Sequence, residues 1–273
     1  MSSGVQAWLD GEPLQADWLF DRGLHYGDGL FETMWLRAGR LRFADLHAAR
    51  LAEGCRRLQI RCDAQAVLQQ AQALLGTGDA MVKLLVTRGI ATARGYAPSG
   101  SEQARTMLLR YEAPPAELPQ APETHATLLS LQLGENPLLA GLKHLNRLEL
   151  VMARAQMQGS SAFEGILCSS SGWLACGTMS NLFLVKDDRL LTPRVDRCGI
   201  AGVTRAVVLR EAAIVGLPVQ ECDLAPAQLL QADELFFTNV RWGVRPVTHI
   251  DGRALAAPVL GARLRARVAA LDA

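Results

Sequence analysis

The chain has 273 residues, 49% of them hydrophobic and 20% charged, with a formal net charge of +1, enough for one large domain or two modest ones around a sizeable core. Basic and acidic residues are interspersed, so no electrostatic footprint points to nucleic acid or an anionic membrane surface, and no run of about 18 apolar residues points to a membrane span. Six cysteines without a CxxC pair, and an N-terminus without a basic stretch followed by an apolar run, predict a soluble cytoplasmic protein with free thiols.

A short strand is expected over residues 5–9. The glycine-dense run DRGLHYGDGLFETM (21–34) matches neither GxGxxG nor P-loop spacing, which argues against a nucleotide, and reads as a tight turn opening into an apolar strand. Another short strand is expected over 41–43. Asp45 is then expected to cap a segment in which Ala48, Leu51, Ala52, Cys55 and Leu58 recur at helical spacing, and a second helix fits 63–75. MVKLLVT (81–87) and RTMLLRY (105–111) have the composition of buried strands around a glycine-bearing loop. EAPPAELPQAPE (112–123) has four prolines in twelve residues and no apolar period, which predicts a linker between a domain of residues 1–111 and one of residues 124–273. Beyond it the pattern predicts a strand over 125–131 and a helix over 144–158. Strands over 163–168, 173–176, 180–185 and 190–192 come next, then a helix over 204–215. Strands over 234–239 and 244–250 and a closing helix over 257–271 complete the reading.

Only three of the 28 basic residues are lysines: Lys83, Lys143 and Lys186. Lys186 falls in a polar hairpin turn, and Lys83 in a strand whose face is open. Lys143, in NPLLAGLKHLNRLELV (136–151), has leucines and glycine around it, a setting that disfavours the charged amine and lowers its pKa. A desolvated amine is what Schiff-base chemistry needs. The alternative is a lysine at a helix start with its stem on apolar surface and its amine in water. GIAGVTR (199–205) places two glycines and Thr204 ahead of an amphipathic helix, so backbone N–H groups and the Thr204 hydroxyl form an anion site suited to a phosphate. A threonine capping a helix without any ligand fits the same pattern. Arg50 lies three residues after His47 on one helix face, where paired donors could hold a phosphate; most such arginines are merely solvated. The five histidines show no HExxH and no paired ligand spacing, so no catalytic metal is expected, and GxSxG is absent.

Seven blocks in order resemble the fold-type IV pyridoxal-phosphate family, which contains branched-chain aminotransferases, D-amino-acid aminotransferases and aminodeoxychorismate lyases. They are DRGLHYGDGLFET (21–33), HAARL (47–51), TRGIATARGY (87–96), AGLKHLNRLE (140–149), SNLFL (180–184), GIAGVTR (199–205) and ADELFFTNV (232–240). Within that family GLKHLNRLE is similar to the lyase form. The resemblance implies an α+β, two-domain fold of the D-amino-acid-aminotransferase kind. In it a smaller N-terminal α+β domain joins a larger C-terminal domain with a β-barrel-like core, and the cofactor lies between them. It also implies pyridoxal 5′-phosphate as cofactor, a small-molecule substrate and a homodimer.

By the same resemblance Lys143 would be the Schiff-base lysine and the proton-transfer base. Arg50, the backbone of Val203 and Thr204, and Asn239 with Val240 would hold the cofactor phosphate, while Phe31, Arg94 and Tyr96 would contact substrate. The implied activity is a lyase that converts 4-amino-4-deoxychorismate to 4-aminobenzoate and pyruvate, a step toward folate. An aminotransferase of branched-chain or D-amino acids and a non-catalytic cofactor-binding protein are the alternatives. One residue departs from the pattern: the glutamate that usually stands just before the GTMSN stretch, keeping the cofactor's ring nitrogen protonated, is Cys176 here. A thiol is a weak donor and a poor counter-ion for a pyridinium, so the cofactor is expected to be a weaker electron sink. Transamination should suffer most. The lyase reaction should suffer less, because its product is an aromatic ring.

Overall fold

The structure is a computed structural model and describes residues 8–10, 12–13, 17–91, 95–113 and 123–271. β1 (Trp8–Leu9) and β2 (Glu12–Pro13) pair antiparallel. A 3-10 turn (Asp17–Phe20) leads into α1 (Arg22–Tyr26), capped by the Asp21 carboxylate, which accepts from the Gly23 N–H at 2.8 Å. Gly27, left-handed at φ 63°, closes α1 and turns the chain into β3 (Gly29–Arg37). With β4 (Arg40–Leu41), β5 (Ala80–Thr87) and β6 (Arg105–Glu112) it builds an antiparallel sheet in the order β4-β3-β5-β6. Alternation gives this sheet two faces. Leu30, Met34, Leu36, Val82, Leu84 and Val86 pack on α2 (Ala44–Leu58) and α3 (Ala64–Leu75), whereas Phe31, Thr33, Lys83 and Leu85 point the other way.

The remaining elements are β7 (His125–Leu133), α4 (Leu148–Gln156), β8 (Glu164–Ser169), β9 (Leu174–Gly177), β10 (Asn181–Lys186), β11 (Arg189–Pro193) and α5 (Val203–Ile214). After them come β12 (Val219–Cys222), α6 (Gln228–Gln231), β13 (Glu234–Asn239), β14 (Gly243–Val247), β15 (His249–Ile250), β16 (Arg253–Ala254) and α7 (Val259–Ala270). They make two five-stranded mixed sheets, β16-β15-β7-β8-β9 and β12-β11-β10-β13-β14. Ile166, Leu174 and Ile250 of the first meet Leu182, Leu184, Leu235, Phe237 and Val247 of the second in one core, the face-to-face packing behind the barrel-like centre. α5 and α7 close the outer face of the second sheet, setting Val207, Val208, Leu264 and Val268 against Phe183 and Phe236. α4 closes the first through Ala153, against Leu167 and Ala175.

Several sequence expectations change. Asp45 does not cap α2: Phe43 holds the cap position in a left-handed conformation, and Asp45 lies in the first turn, where its charge suits the helix's positive end. The helix predicted over 144–158 begins only at Leu148, because residues 143–145 are drawn out along β3. There the Phe31 N–H donates to the Lys143 carbonyl at 2.9 Å, and the Leu145 N–H donates to the Gly29 carbonyl at 3.0 Å. The strand predicted over 244–250 is two strands serving different sheets, parted at Thr248. The sequence pattern does not predict β2, α1, β12, α6 or β16, and β6, expected as a buried strand, is exposed or half-buried throughout because it is the edge of its sheet. The strand predicted over 41–43 is Arg40–Leu41. Residues 5–7 of the first predicted strand, and 114–122 of the predicted linker, lie outside the described residues. No helix among the described residues is long and apolar enough to cross a membrane.

Candidate active site

Lys143 owes its place to two sets of backbone bonds. On one side β3 takes residues 143–145 as a short extra strand, with Leu30 bridged to His144. On the other, Gly141 and Ile200 form a parallel bridge: the Gly141 N–H donates to the Gly199 carbonyl and the Ala201 N–H to the Gly141 carbonyl, each at 3.0 Å. Gly141 adopts φ +79°, which an L side chain resists. The lysine is thereby wedged between the N-terminal sheet and the loop that opens α5, and it does not stand at a helix start, since α4 begins at Leu148. Its Nζ lies 4.2 Å from the centre of the Phe31 ring, and the Lys83 Nζ lies 5.2 Å from that same centre. Part of the Lys143 side chain remains open to solvent. Even so, desolvation of the amine, aided by the like charge of Arg50 and opposed by Glu32, pushes its pKa from 10.5 down to about 7.

Behind the amine sits a buried ionic cluster. Glu32 is on the helix-facing side of β3 and only 1% exposed. It accepts from Arg50 Nε at 2.9 Å and from Arg50 Nη2, and it is 2.6 Å from His47 Nδ1. Burial alone would raise the carboxyl's pKa, but Arg50 and His47 overcome it and hold the group at about 2. Arg50 also donates through Nη1 to the Ala201 carbonyl at 3.1 Å. Among the described residues three of its five N–H donors are so engaged, which leaves two available.

Ala201 leads into α5, whose cap residue Gly202 provides no side-chain bond, so the first N–H groups of this helix, at Val203 and Thr204, stand open at its positive end. A Cβ on Gly202 would collide with the Asn181 amide oxygen, so only glycine lets the loop rest on β10. Asn181 donates to the Ile200 carbonyl at 2.8 Å and pairs across strands with Thr238. The Thr238 hydroxyl is buried and has no partner among the described residues, a donor of the kind that asks for a ligand acceptor. Asn239 uses its side chain on its own turn: Oδ1 accepts from the Arg241 and Trp242 N–H groups, and Nδ2 donates to the Met179 carbonyl at 3.3 Å. Its main chain pairs across strands with Gly243 of β14, and Val240 follows at the end of β13.

Cys176 is buried on β9. Desolvation raises its thiol pKa far above neutrality, with smaller upward contributions from Cys198 and Glu164, so the group is an uncharged thiol at physiological pH. The nearby guanidinium of Arg147, which donates to the His144 carbonyl at 2.9 Å, interacts with both Cys176 and Lys143. Glu164, fully buried, accepts from the Thr178 and Met179 N–H groups at 3.1 and 3.3 Å, from the Thr178 hydroxyl, and from Ser180 Oγ at 3.0 Å. It thereby sets the turn that joins Cys176 to Asn181.

Lys143, Phe31, Arg50 and the start of α5 converge directly, and Asn181 ties the end of β13 to them. Tyr96 stands apart: it is 83% exposed, its ring lies edge-on to Tyr26 at 5.3 Å, and its carbonyl accepts from Arg22 Nη2 at 2.6 Å. Arg94 lies outside the described residues. Sequence reasoning passed over Glu32, Thr238, Asn181 and Glu164. Only Glu32 offered a signal, as a charge among the alternate apolar positions Leu30, Met34 and Leu36.

A family model described as amino-transferase class IV matches residues 29–250. The aminodeoxychorismate lyase of Vibrio harveyi is 35% identical over 89% of this chain and 91% of its own length. A crystal structure of 4-amino-4-deoxychorismate lyase from Pseudomonas aeruginosa superposes with a TM-score of 0.87 at 41% identity, covering 96% of this chain and 97% of that one. The D-alanine aminotransferase of Bacillus licheniformis is 30% identical over 86% of this chain and 83% of its own. Pyridoxal 5′-phosphate, the cofactor of this family, requires a neutral amine for its aldehyde and several donors for its phosphate. The lowered Lys143 amine meets the first need. The open α5 N–H groups, the spare Arg50 donors and the unpartnered Thr238 hydroxyl meet the second. By its fold and by its sequence over residues 29–250, the chain belongs to the amino-transferase class IV family of pyridoxal-phosphate enzymes.

Proposed function

We propose that the protein is the lyase that converts 4-amino-4-deoxychorismate to 4-aminobenzoate and pyruvate. The observation that carries this reading is the segment GLKHLNRLE around Lys143, whose amine burial brings to a pKa of about 7, in a chain more similar to two such lyases than to the aminotransferase. When bound, the cofactor withdraws electrons from the carbon that bears the substrate's amine. Lys143 anchors the cofactor, and its freed amine takes the proton from that carbon. As the proton leaves, the bond to the enolpyruvyl oxygen breaks, the ring becomes aromatic, and the released enolpyruvate takes up a proton to become pyruvate. A base with a pKa near 7 both accepts and returns protons efficiently at neutral pH. Arg50, the Val203 and Thr204 N–H groups, and the main chain of Asn239 and Val240 hold the phosphate, and Phe31 forms one wall beside the amine. Arg94 and Tyr96 are proposed as substrate contacts on the family resemblance alone.

The deciding assay is release of 4-aminobenzoate from 4-amino-4-deoxychorismate by the purified, cofactor-loaded protein. A protein that binds cofactor yet releases none would sink the reading and turn attention to amine transfer between amino and 2-oxo acids. Cys176 bears on that choice, because a neutral thiol does not stabilise a protonated ring nitrogen. Cys176→Glu is expected to raise amine transfer far more than lyase turnover, measured as the ratio of the two rates. A gain in lyase turnover of two orders of magnitude or more (about the size of one well-placed catalytic group) would instead mark Cys176 as a damaging replacement.

We also propose a cytoplasmic homodimer whose subunits divide at residues 112–123. The division is supported by β6 ending one sheet and β7 beginning another. The dimer is supported by the open face of the N-terminal sheet, where Met107 and Tyr111 are exposed beside Leu85 and Phe31. Sedimentation equilibrium should give twice the 29.5 kDa chain mass; a monomer at micromolar concentration would refute the dimer.

A further inference from the structure

We propose that Glu123, His125 and His249 form a binding site for a divalent transition metal of the zinc class, sharing no residue with the candidate active site. β7 and β15 run parallel and pair His125 with His249 in register, so both imidazoles leave the same face of the sheet, with ring centres 4.4 Å apart. Glu123 stands two residues before His125 and reaches the same side, its Oε2 2.9 Å from His125 Nε2. One ligand atom from each of the three lies within 4.8 Å of the other two. Metal–ligand bonds of about 2.0–2.2 Å place tetrahedral ligand atoms about 3.4 Å apart. Small rotations of these partly exposed side chains therefore close the site, and water fills the fourth position. Two imidazoles and one carboxylate favour zinc, nickel or copper over magnesium or calcium, which prefer all-oxygen shells.

The surroundings prepare His249 for this role. The Thr248 hydroxyl accepts the Thr124 N–H at 2.8 Å and donates to the Thr124 carbonyl at 3.2 Å. The same oxygen lies 3.1 Å from His249 Nδ1, and where it accepts there the ring proton sits on Nδ1. In that tautomer Nε2 keeps a bare lone pair for a metal, with the Thr248 contact as its outer hydrogen bond. His125 now donates its Nε2 proton to Glu123; metal entry between the two releases that proton to solvent. The bound ion ties the entry of β7 to β15.

The test is calorimetric titration of the full-length holoenzyme with zinc chloride, repeated with cobalt(II) and followed by absorption. The expected result is one zinc per chain, with cobalt bands of nitrogen and oxygen ligation. His249→Ala and Glu123→Gln should each weaken zinc by at least about tenfold, and Thr248→Val, which keeps all three ligands, by about 10–100-fold. Glu123 is 59% exposed, so its replacement leaves the fold intact even if a strand variant does not. Three results would overturn the proposal: no saturable zinc uptake, variants that bind as tightly as the parent, or a thiolate charge-transfer band assigning the metal to the six free cysteines.

Discussion

Lys143→Ala is expected to lower 4-aminobenzoate release by about 10⁴-fold or more, because in the proposed reaction one amine both anchors the cofactor and moves the proton. The same residue should carry a signature in stability. Its folded pKa of about 7 lies below the ordinary 10.5, so between those values the unfolded chain binds more protons than the folded one. Stability of the cofactor-free protein should therefore rise as pH increases from 7 to 10.5, and the cost of burying the ammonium should be fully present below pH 7. Lys143→Met removes that charge at similar volume. It should abolish turnover while raising the melting temperature of the cofactor-free protein at pH 7, a trade between activity and stability found at many catalytic sites. Thermal unfolding of parent and variant at pH 7 and pH 10 checks this. A parent with no gain on going to pH 10, or a Met variant that melts lower, would show that the amine is well solvated.

The second large effect is at Glu32. Removing one partner of a buried ionic cluster leaves the others uncompensated, so Glu32→Ala should destabilise the fold by about 3–5 kcal/mol. With its carboxylate gone, Arg50 loses its Nε and Nη2 bonds and His47 loses its Nδ1 partner. The guanidinium is then free to turn from the α5 loop, so cofactor affinity should fall along with stability. The folded pKa of about 2 is below the ordinary glutamate value of 4.5. Its contribution is therefore complete above pH 4.5 and lost as pH falls from 4.5 to 2. Urea unfolding across that window, with cofactor titration at pH 7, tests both parts. A variant as stable as the parent would mean that Arg50 finds other partners.

The elements read most easily from the sequence were those whose pattern is local. β5 is a short apolar run broken by Lys83, and α3 follows Asp63, whose carboxylate accepts from the Ala66 N–H at 3.0 Å. The chemistry of the site was legible in part, through the scarcity of lysine and the apolar neighbours of Lys143, and above all through family resemblance. The helical period of α4 runs backward through residues 144–147 without interruption, so nothing local marks Leu148 as the start. Long-range bonds from Lys143 and Leu145 to β3 decide that boundary.

Other features had no local trace. β14 and β15 read as one apolar run, since periodicity reports burial and not which sheet does the burying. Glu32 looks like a polar interruption until α2 brings Arg50 and His47 across it, and the histidines show no ligand spacing until parallel pairing sets His125 beside His249. Sequence by itself determined the secondary elements with clear period and cap and the family, and it singled out Lys143 as the candidate amine. Only the tertiary structure decided the environments that make those residues work. A pKa, an open helix end or a shared metal ligand depends on groups distant along the chain that folding brings within a few ångströms.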